Sequence, residues 1–173
     1  AEDAWNAGEP NLPAYGVSLL LPAGTTIAEI TVQPGTKISL GSGFTVAPVE
    51  QPVKLSELTT VSVKGTTDPT IYSSDNVFPS TLFSTVSTYS FRGYNLLILL
   101  LYPVQYQPIS GQLSYFDEVT VVVKTIQTGS VSPLYRSLEK DRIEVAKKVD
   151  SIDSLSSYRI ISFAPLTAAD YDL

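Results

Sequence analysis

The stretch NLLILLLY, Asn95 to Tyr102, limits the fold more than any other part of the chain. Its apolar part, Leu96 to Tyr102, offers no polar side for a surface helix. It also falls far short of the roughly 20 residues that cross a bilayer as a helix. The run therefore reads as a buried strand, with Gly93 just upstream marking a bulge or kink and Pro103 ending it. A buried strand needs a domain around it. At 173 residues, 43% hydrophobic and 16% charged, the chain is about one ordinary domain, able to bury roughly two-thirds of the surface its unfolded form exposes.

The neighbouring segments supply the rest of an all-β pattern. AGEPNLPAYG and GVSLLLP read as an extended, edge-like entry, because prolines and glycines interrupt them. In TIAEITVQPGTKISL, Ala28, Ile30 and Val32 alternate with Glu29 and Thr31, and Pro34-Gly35 turns the chain into a strand over Lys37 to Leu40. Residues 47 to 70 have weak periodicity and mix Pro, Glu, Lys, Thr and Gly, the pattern of a long exposed connection. In YPVQYQPISGQLSYF, Pro103 and Pro108 delimit a short strand, Val104 to Gln107, and Ser110-Gly111 turns the chain into the next one. Asp117-Glu118 is turn-like, and Val119, Val121 and Val123 share one face of the strand that follows.

After Gly129 and Pro133 the period changes. Leu134, Leu138, Val145, Val149 and Ile152 fall on one stripe of a helix, with Glu139, Lys140, Glu144 and Lys148 outward and Glu144 to Lys148 a favourable pair. Tyr158 to Phe163 is strand-like. The expected architecture is an antiparallel β-sandwich core over residues 1–128 and a helical connector over residues 129–173.

Composition excludes several function classes. The chain has no His and no Cys, so it cannot supply a Ser-His-Asp triad, a Cys-His dyad, a His/Cys zinc site or an iron-sulfur cluster. A net charge of -6 with 11 Lys+Arg argues against nucleic acid, whose binding needs a concentrated basic face. No cofactor is implied, and no apolar run is long enough to suggest a membrane span. Residue 1 is not a Met. The start AEDAW suits a product of signal peptidase, and a trimmed tag would look the same. With the wealth of Pro, Tyr, Ser and Thr, this gives an expectation of a secreted or cell-envelope protein.

Carboxylates are the remaining candidates for chemistry. Asp117-Glu118, Asp68 and Asp75 sit near turns, where such residues ordinarily cap or turn the chain, and no spacing suggests the facing pair of a glycosidase. Asp68, Asp75 and Asn76 are weak candidates for Ca²⁺, since hard oxygens on loops suit that ion, but the EF-hand spacing is absent. Tyr89, Phe91, Tyr94, Tyr102, Tyr106, Tyr115 and Phe116 fit either sheet core or a carbohydrate-stacking face. A carbohydrate-binding or adhesive module is thus one reading, and a carboxylate hydrolase a more distant one.

Taken in order, GEPNLP, LLLPAGT, IYSSDNVFP, FRGYNLLIL and YPVQYQPISGQLSYF resemble the N-terminal propeptide domain of gingipain-like cysteine peptidases. The match runs from about Gly8 to Ile126. Its specific part is Arg92-Gly93, a hydrophobic strand, then Pro103, Gln105, Tyr106 and Pro108 with a turn at Gly111. The resemblance implies a non-catalytic β-sandwich that folds ahead of a caspase-like catalytic domain, assists its folding and blocks its active site until proteolysis. The partner implied is that catalytic domain, which would hold the His and Cys missing here.

The resemblance also implies that a basic side chain on an exposed propeptide loop enters the specificity pocket. The corresponding region is the connection over residues 47 to 70, whose basic residues are Lys54 and Lys64. Arg92, in the matched motif, is assigned a structural role through its guanidinium. Candidate activation cleavage sites are Arg136, Lys140, Arg142, Lys147, Lys148 and Arg159.

Overall fold

A computed structural model describes residues 4–50 and 66–160. In chain order it contains β1 (Tyr15–Leu20), β2 (Thr25–Pro34), β3 (Lys37–Gly41), α1 (Pro69–Tyr72), β4 (Phe83–Phe91), β5 (Tyr94–Leu101), β6 (Val104–Gln107), β7 (Gln112–Phe116), β8 (Val119–Gln127), α2 (Glu139–Ala146) and a 3₁₀ turn at Asp153–Ser157. The sheets have the orders β1-β5-β4, β2-β8 and β3-β7-β6. The all-β antiparallel class expected from the sequence is the one found, with the helices a minor part.

The apolar run is β5, and it lies between two partners in its sheet. Leu96 and Leu97 are both fully buried. Since successive side chains point to opposite faces, β5 is covered on both sides, which is what an uninterrupted apolar run needs. β8 instead alternates half-buried Val119, Val121 and Val123 with exposed neighbours, as its period-2 pattern requires.

The chain divides into two compact units. The first takes in Ala1–Gly16, Ile30–Thr85 and Leu99–Val122. Its sheet pairs β6 with β7 from Val104↔Tyr115 to Gln107↔Gln112, so Pro103 and Pro108 bracket the paired segment and leave its ladder intact. On the other side β3 pairs with β7 from Lys37↔Phe116, with a shift in register between Ser39 and Gly41. Gly111, at φ 62, closes the β6–β7 turn. Tyr106 is 2% exposed, and its hydroxyl donates to the Phe44 carbonyl at 3.1 Å.

The second unit takes in Val17–Glu29, Val86–Ile98 and Val123–Leu173. Its core joins Leu20, Tyr94, Leu96, Val145, Leu155 and Tyr158. The last three come from the segment expected to be a connector. The Tyr94 ring lies 4.5 Å from that of Tyr158 and meets Tyr135 edge-on at 5.2 Å, distances at which aromatic pairs add to simple burial. The Tyr158 hydroxyl donates to the Leu21 carbonyl at 3.1 Å, and burial raises its pKa. Among the described residues the Tyr94 hydroxyl is buried without a hydrogen-bond partner, and burial, with Tyr135 beside it adding to the effect, pushes its pKa far up. Removing an unpaired buried hydroxyl while keeping the ring relieves a desolvation penalty. Tyr94→Phe is therefore expected to leave stability unchanged or raise it by about 1–2 kcal/mol; a loss of that size on chemical denaturation would show that the hydroxyl is bonded.

Three local expectations are corrected. Gly93 does not form a bulge: Arg92 (φ 54) and Gly93 (φ 85) are the two residues of a tight hairpin turn between β4 and β5, where two successive positive φ values match the strand twist. The long helical stripe is also shorter than its periodicity suggests. Ser137, at φ 57, interrupts the chain before α2, and the helix ends at Ala146, so Leu134 and Ile152 lie outside it, 65% and 57% exposed. Finally, Glu144 pairs with Lys147 at 2.7 Å and not with Lys148, whose ammonium lies over the Phe91 ring at 5.3 Å. Tyr158 enters the core without forming a strand, and residues 161 to 163 of the strand-like run lie outside the described residues.

Candidate functional site

The long connection begins and ends on one short stretch of backbone. Gly8 donates its N–H to the Val49 carbonyl at 2.9 Å and accepts from the Asp68 N–H at 2.9 Å, while Val49 in turn donates to Glu9 at 2.7 Å and Asn11 to Ala47 at 2.9 Å. GEPNLP thus clamps both flanks of the connection. Gly8 has φ +91, and an added Cβ would sit 3.0 Å from the Thr66 carbonyl oxygen and 3.2 Å from the Asp68 nitrogen, so the clamp needs glycine there. Asp68 caps α1 by accepting from the Thr70 N–H at 2.8 Å, with Pro69 at the first helical position. The Tyr72 hydroxyl donates back to the Val46 carbonyl at 2.9 Å. Lys54 and Lys64 lie outside the described residues.

Two of the sequence motifs in this unit meet each other. Phe78 and Tyr106 exchange backbone hydrogen bonds of 2.8 and 2.7 Å. The Asp75 carboxylate accepts from the Ser110 N–H at 3.2 Å and from its hydroxyl at 3.0 Å. Gln107 donates its amide to the Asp75 carbonyl at 3.2 Å, and Gln105 donates to the Pro79 carbonyl at 3.4 Å. IYSSDNVFP is thereby held against YPVQYQPISG. Asp68 and Asp75 are both occupied in capping and bracing, and no group of three acids suited to a metal ion occurs among the described residues.

In the other unit Arg92 is not free to reach a partner. It donates to Asp141 Oδ1 at 2.6 Å, and Arg136 grips the same carboxylate with Nε to Oδ2 at 3.0 Å and Nη2 to Oδ1 at 2.8 Å. Asp141 is 1% exposed. The Arg92 hydrogen bond, reinforced by Arg136, holds its carboxyl below the ordinary 3.8 despite the opposing effect of burial. Two guanidinium groups on one buried carboxylate tie the β4–β5 hairpin to the start of α2.

The remaining basic candidates have varied surroundings. Lys140 and Arg142 lie within α2, Lys147 caps its C-terminus, and Arg136 is bound to Asp141. Arg159 follows the 3₁₀ turn, and its carbonyl accepts from the Tyr135 hydroxyl. Reading the sequence missed Asp141 and the Gly8 clamp. Asp141 sits in the highly charged stretch LEKDRIE, where nothing local marks one acid as buried.

The seven aromatics do not form a shared exposed face. Tyr94, Tyr102 and Tyr106 are buried, and of the seven Tyr89 is the one that is largely exposed, at 43%. A flat carbohydrate platform built from them is not present.

The fold and these contacts define an all-β domain whose described polar side chains brace turns and clamp loops. The Propeptide_C25 family model matches residues 2–146, and the chain belongs to that family, the propeptides of gingipain-type peptidases. No curated protein matches it. Among solved structures, the complex of RgpB pro- and mature domains from Porphyromonas gingivalis is similar at 19% identity and a TM-score of 0.59, over 84% of this chain and 73% of that one. A structure addressing the zymogenic latency of gingipain K from the same organism is similar at 21% identity and a TM-score of 0.56, over 72% and 69%. At these identities the likeness is one of fold.

Proposed function

We propose that this propeptide is the inhibitory prodomain of a gingipain-type cysteine peptidase zymogen. It assists folding of the catalytic domain and covers its active-site cleft until a cut at one of the basic residues of the connector releases it. The family match along residues 2–146 carries this reading. The clamp at Gly8 supports a loop-insertion mechanism, since a connection with fixed ends loses less freedom on binding. Within that loop Lys54 or Lys64 is the residue proposed to enter the specificity pocket. The chain would act outside the cytoplasm, in secretion or at the cell envelope.

The isolated chain, added to the catalytic domain of its own precursor, is expected to inhibit peptide hydrolysis at submicromolar concentration. Absence of inhibition at high micromolar chain would sink the prodomain reading. Lys54→Ala and Lys64→Ala, tested separately, are expected to weaken inhibition in one case by about tenfold or more, the loss of a charged anchor. If neither does, the basic-loop mechanism fails while the prodomain reading stands.

A further inference from the structure

The first unit also holds an open cleft of about 420 Å³, within the roughly 300–1,000 Å³ of small-molecule sites. Among the described residues its lining has three aromatic rings, five Ser or Thr side chains, two Asn amides, one carboxylate (Glu9), and no lysine or arginine. The aromatic wall is fixed. Trp5 packs with its ring tilted against Tyr102 at 4.5 Å and Phe78 at 5.1 Å, and its indole N–H donates to the Leu12 carbonyl at 2.6 Å. The Tyr102 hydroxyl is bonded to Ser84 at 2.7 Å.

The ligand class follows from what the lining offers. An anion would find no cationic side chain among these residues. A cation would find one carboxylate, and that one is already engaged: Glu9 accepts from the Asn6 backbone N–H at 2.7 Å and from its side-chain amide at 3.2 Å. Apart from the Asn6 amide and the Ser84 hydroxyl, which are already bonded within the protein, the lining hydroxyls and the Asn76 amide, which both donate and accept, match a neutral molecule rich in hydroxyl groups. The aromatic wall matches one with an apolar face. Because the rings and Glu9 are already held by protein contacts, little ordering is required on binding.

We propose that this cleft binds a neutral saccharide of one or two sugar units. The inference is independent of the inhibitory role, since it uses neither the Lys54 and Lys64 loop nor the connector. Trp5 is the sole tryptophan of the chain, so its emission reports on the cleft directly. Titration of the full chain with glucose, galactose, mannose, N-acetylglucosamine, lactose, cellobiose and chitobiose is expected to give a saturable emission change with at least one of them.

Asn76→Ala and Thr81→Ala, both at exposed positions, are expected to raise the dissociation constant for that sugar at least about fivefold, the value of one lost hydrogen bond. Far-UV circular dichroism should remain unchanged. Saturation-transfer NMR on the unmodified chain provides a readout that does not depend on the variants folding. The proposal is overturned if no sugar produces a response by either method up to about 100 mM. It is overturned equally if butylamine or inorganic phosphate binds and the sugars do not, or if both folded variants bind as the parent does.

Discussion

Gly93→Ala is expected to lower stability by about 3 kcal/mol or more, the largest loss from any single methyl addition in the described chain. Two effects combine. At φ 85 an L-alanine carries the left-handed penalty of about 1–2 kcal/mol. Its Cβ would also overlap the backbone of Leu134 and Tyr135, and no change of side-chain rotamer relieves a collision with backbone. Moving Tyr135 would in turn disturb its edge-on contact with Tyr94. Gly129 provides the control, because it has φ +76 in the same unit and, among the described residues, nothing within 4 Å of an added Cβ. Gly129→Ala should therefore lose only the conformational part, about 1–2 kcal/mol. Denaturant unfolding of both variants separates the effects: equal losses would mean that the close approach at Gly93 contributes nothing.

That glycine also shows where the sequence was readable. The strand content came from local patterns: the apolar run of β5, the alternation in β8, and the prolines bracketing β6. Each is decided within a few residues, so each was visible. Gly93 reads locally as a bulge or kink, because Arg92-Gly93 lacks the Asn-Gly or Asp-Gly pair that ordinarily announces a tight hairpin. Periodicity likewise overextended α2, since the left-handed Ser137 gives no apolar signal.

The site residues were less legible still, and for a different reason. Arg92 meets Asp141 across 49 residues of sequence, and the Gly8 clamp brings together flanks that begin at Ala47 and resume at Thr66. No local window contains both halves of either contact. The family motifs did better than periodicity because they preserve such long-range pairs implicitly: IYSSDNVFP and YPVQYQPISG touch through Phe78 and Tyr106.

Asp141→Asn is expected to give the largest loss among single carboxylate substitutions in the described chain, and one that depends on pH. The substitution leaves Arg92 and Arg136 facing a neutral amide, whose one acceptor oxygen cannot replace both the single Arg92 bond and the two-point Arg136 grip. The carboxyl of Asp141 has a pKa below its ordinary 3.8 in the fold. A group whose folded-state pKa is depressed stabilises the fold fully above its unfolded value, and that contribution fades as pH falls toward the folded value. At pH 7 the parent should therefore be clearly more stable than the variant. The gap should begin to narrow as pH falls through about 3.8, where the carboxyl of the unfolded parent takes up its proton, and should be smallest below the folded value, where Asp141 is protonated in the fold as well. Glu144, also lowered, chiefly by its bond to Lys147, contributes through that bond to both proteins, and this part cancels in the comparison. Denaturation midpoints measured for parent and variant across this range decide the matter. A gap that stays constant down to the acid limit would mean that the charge of Asp141 contributes nothing, leaving its shape and packing as the reason for its burial.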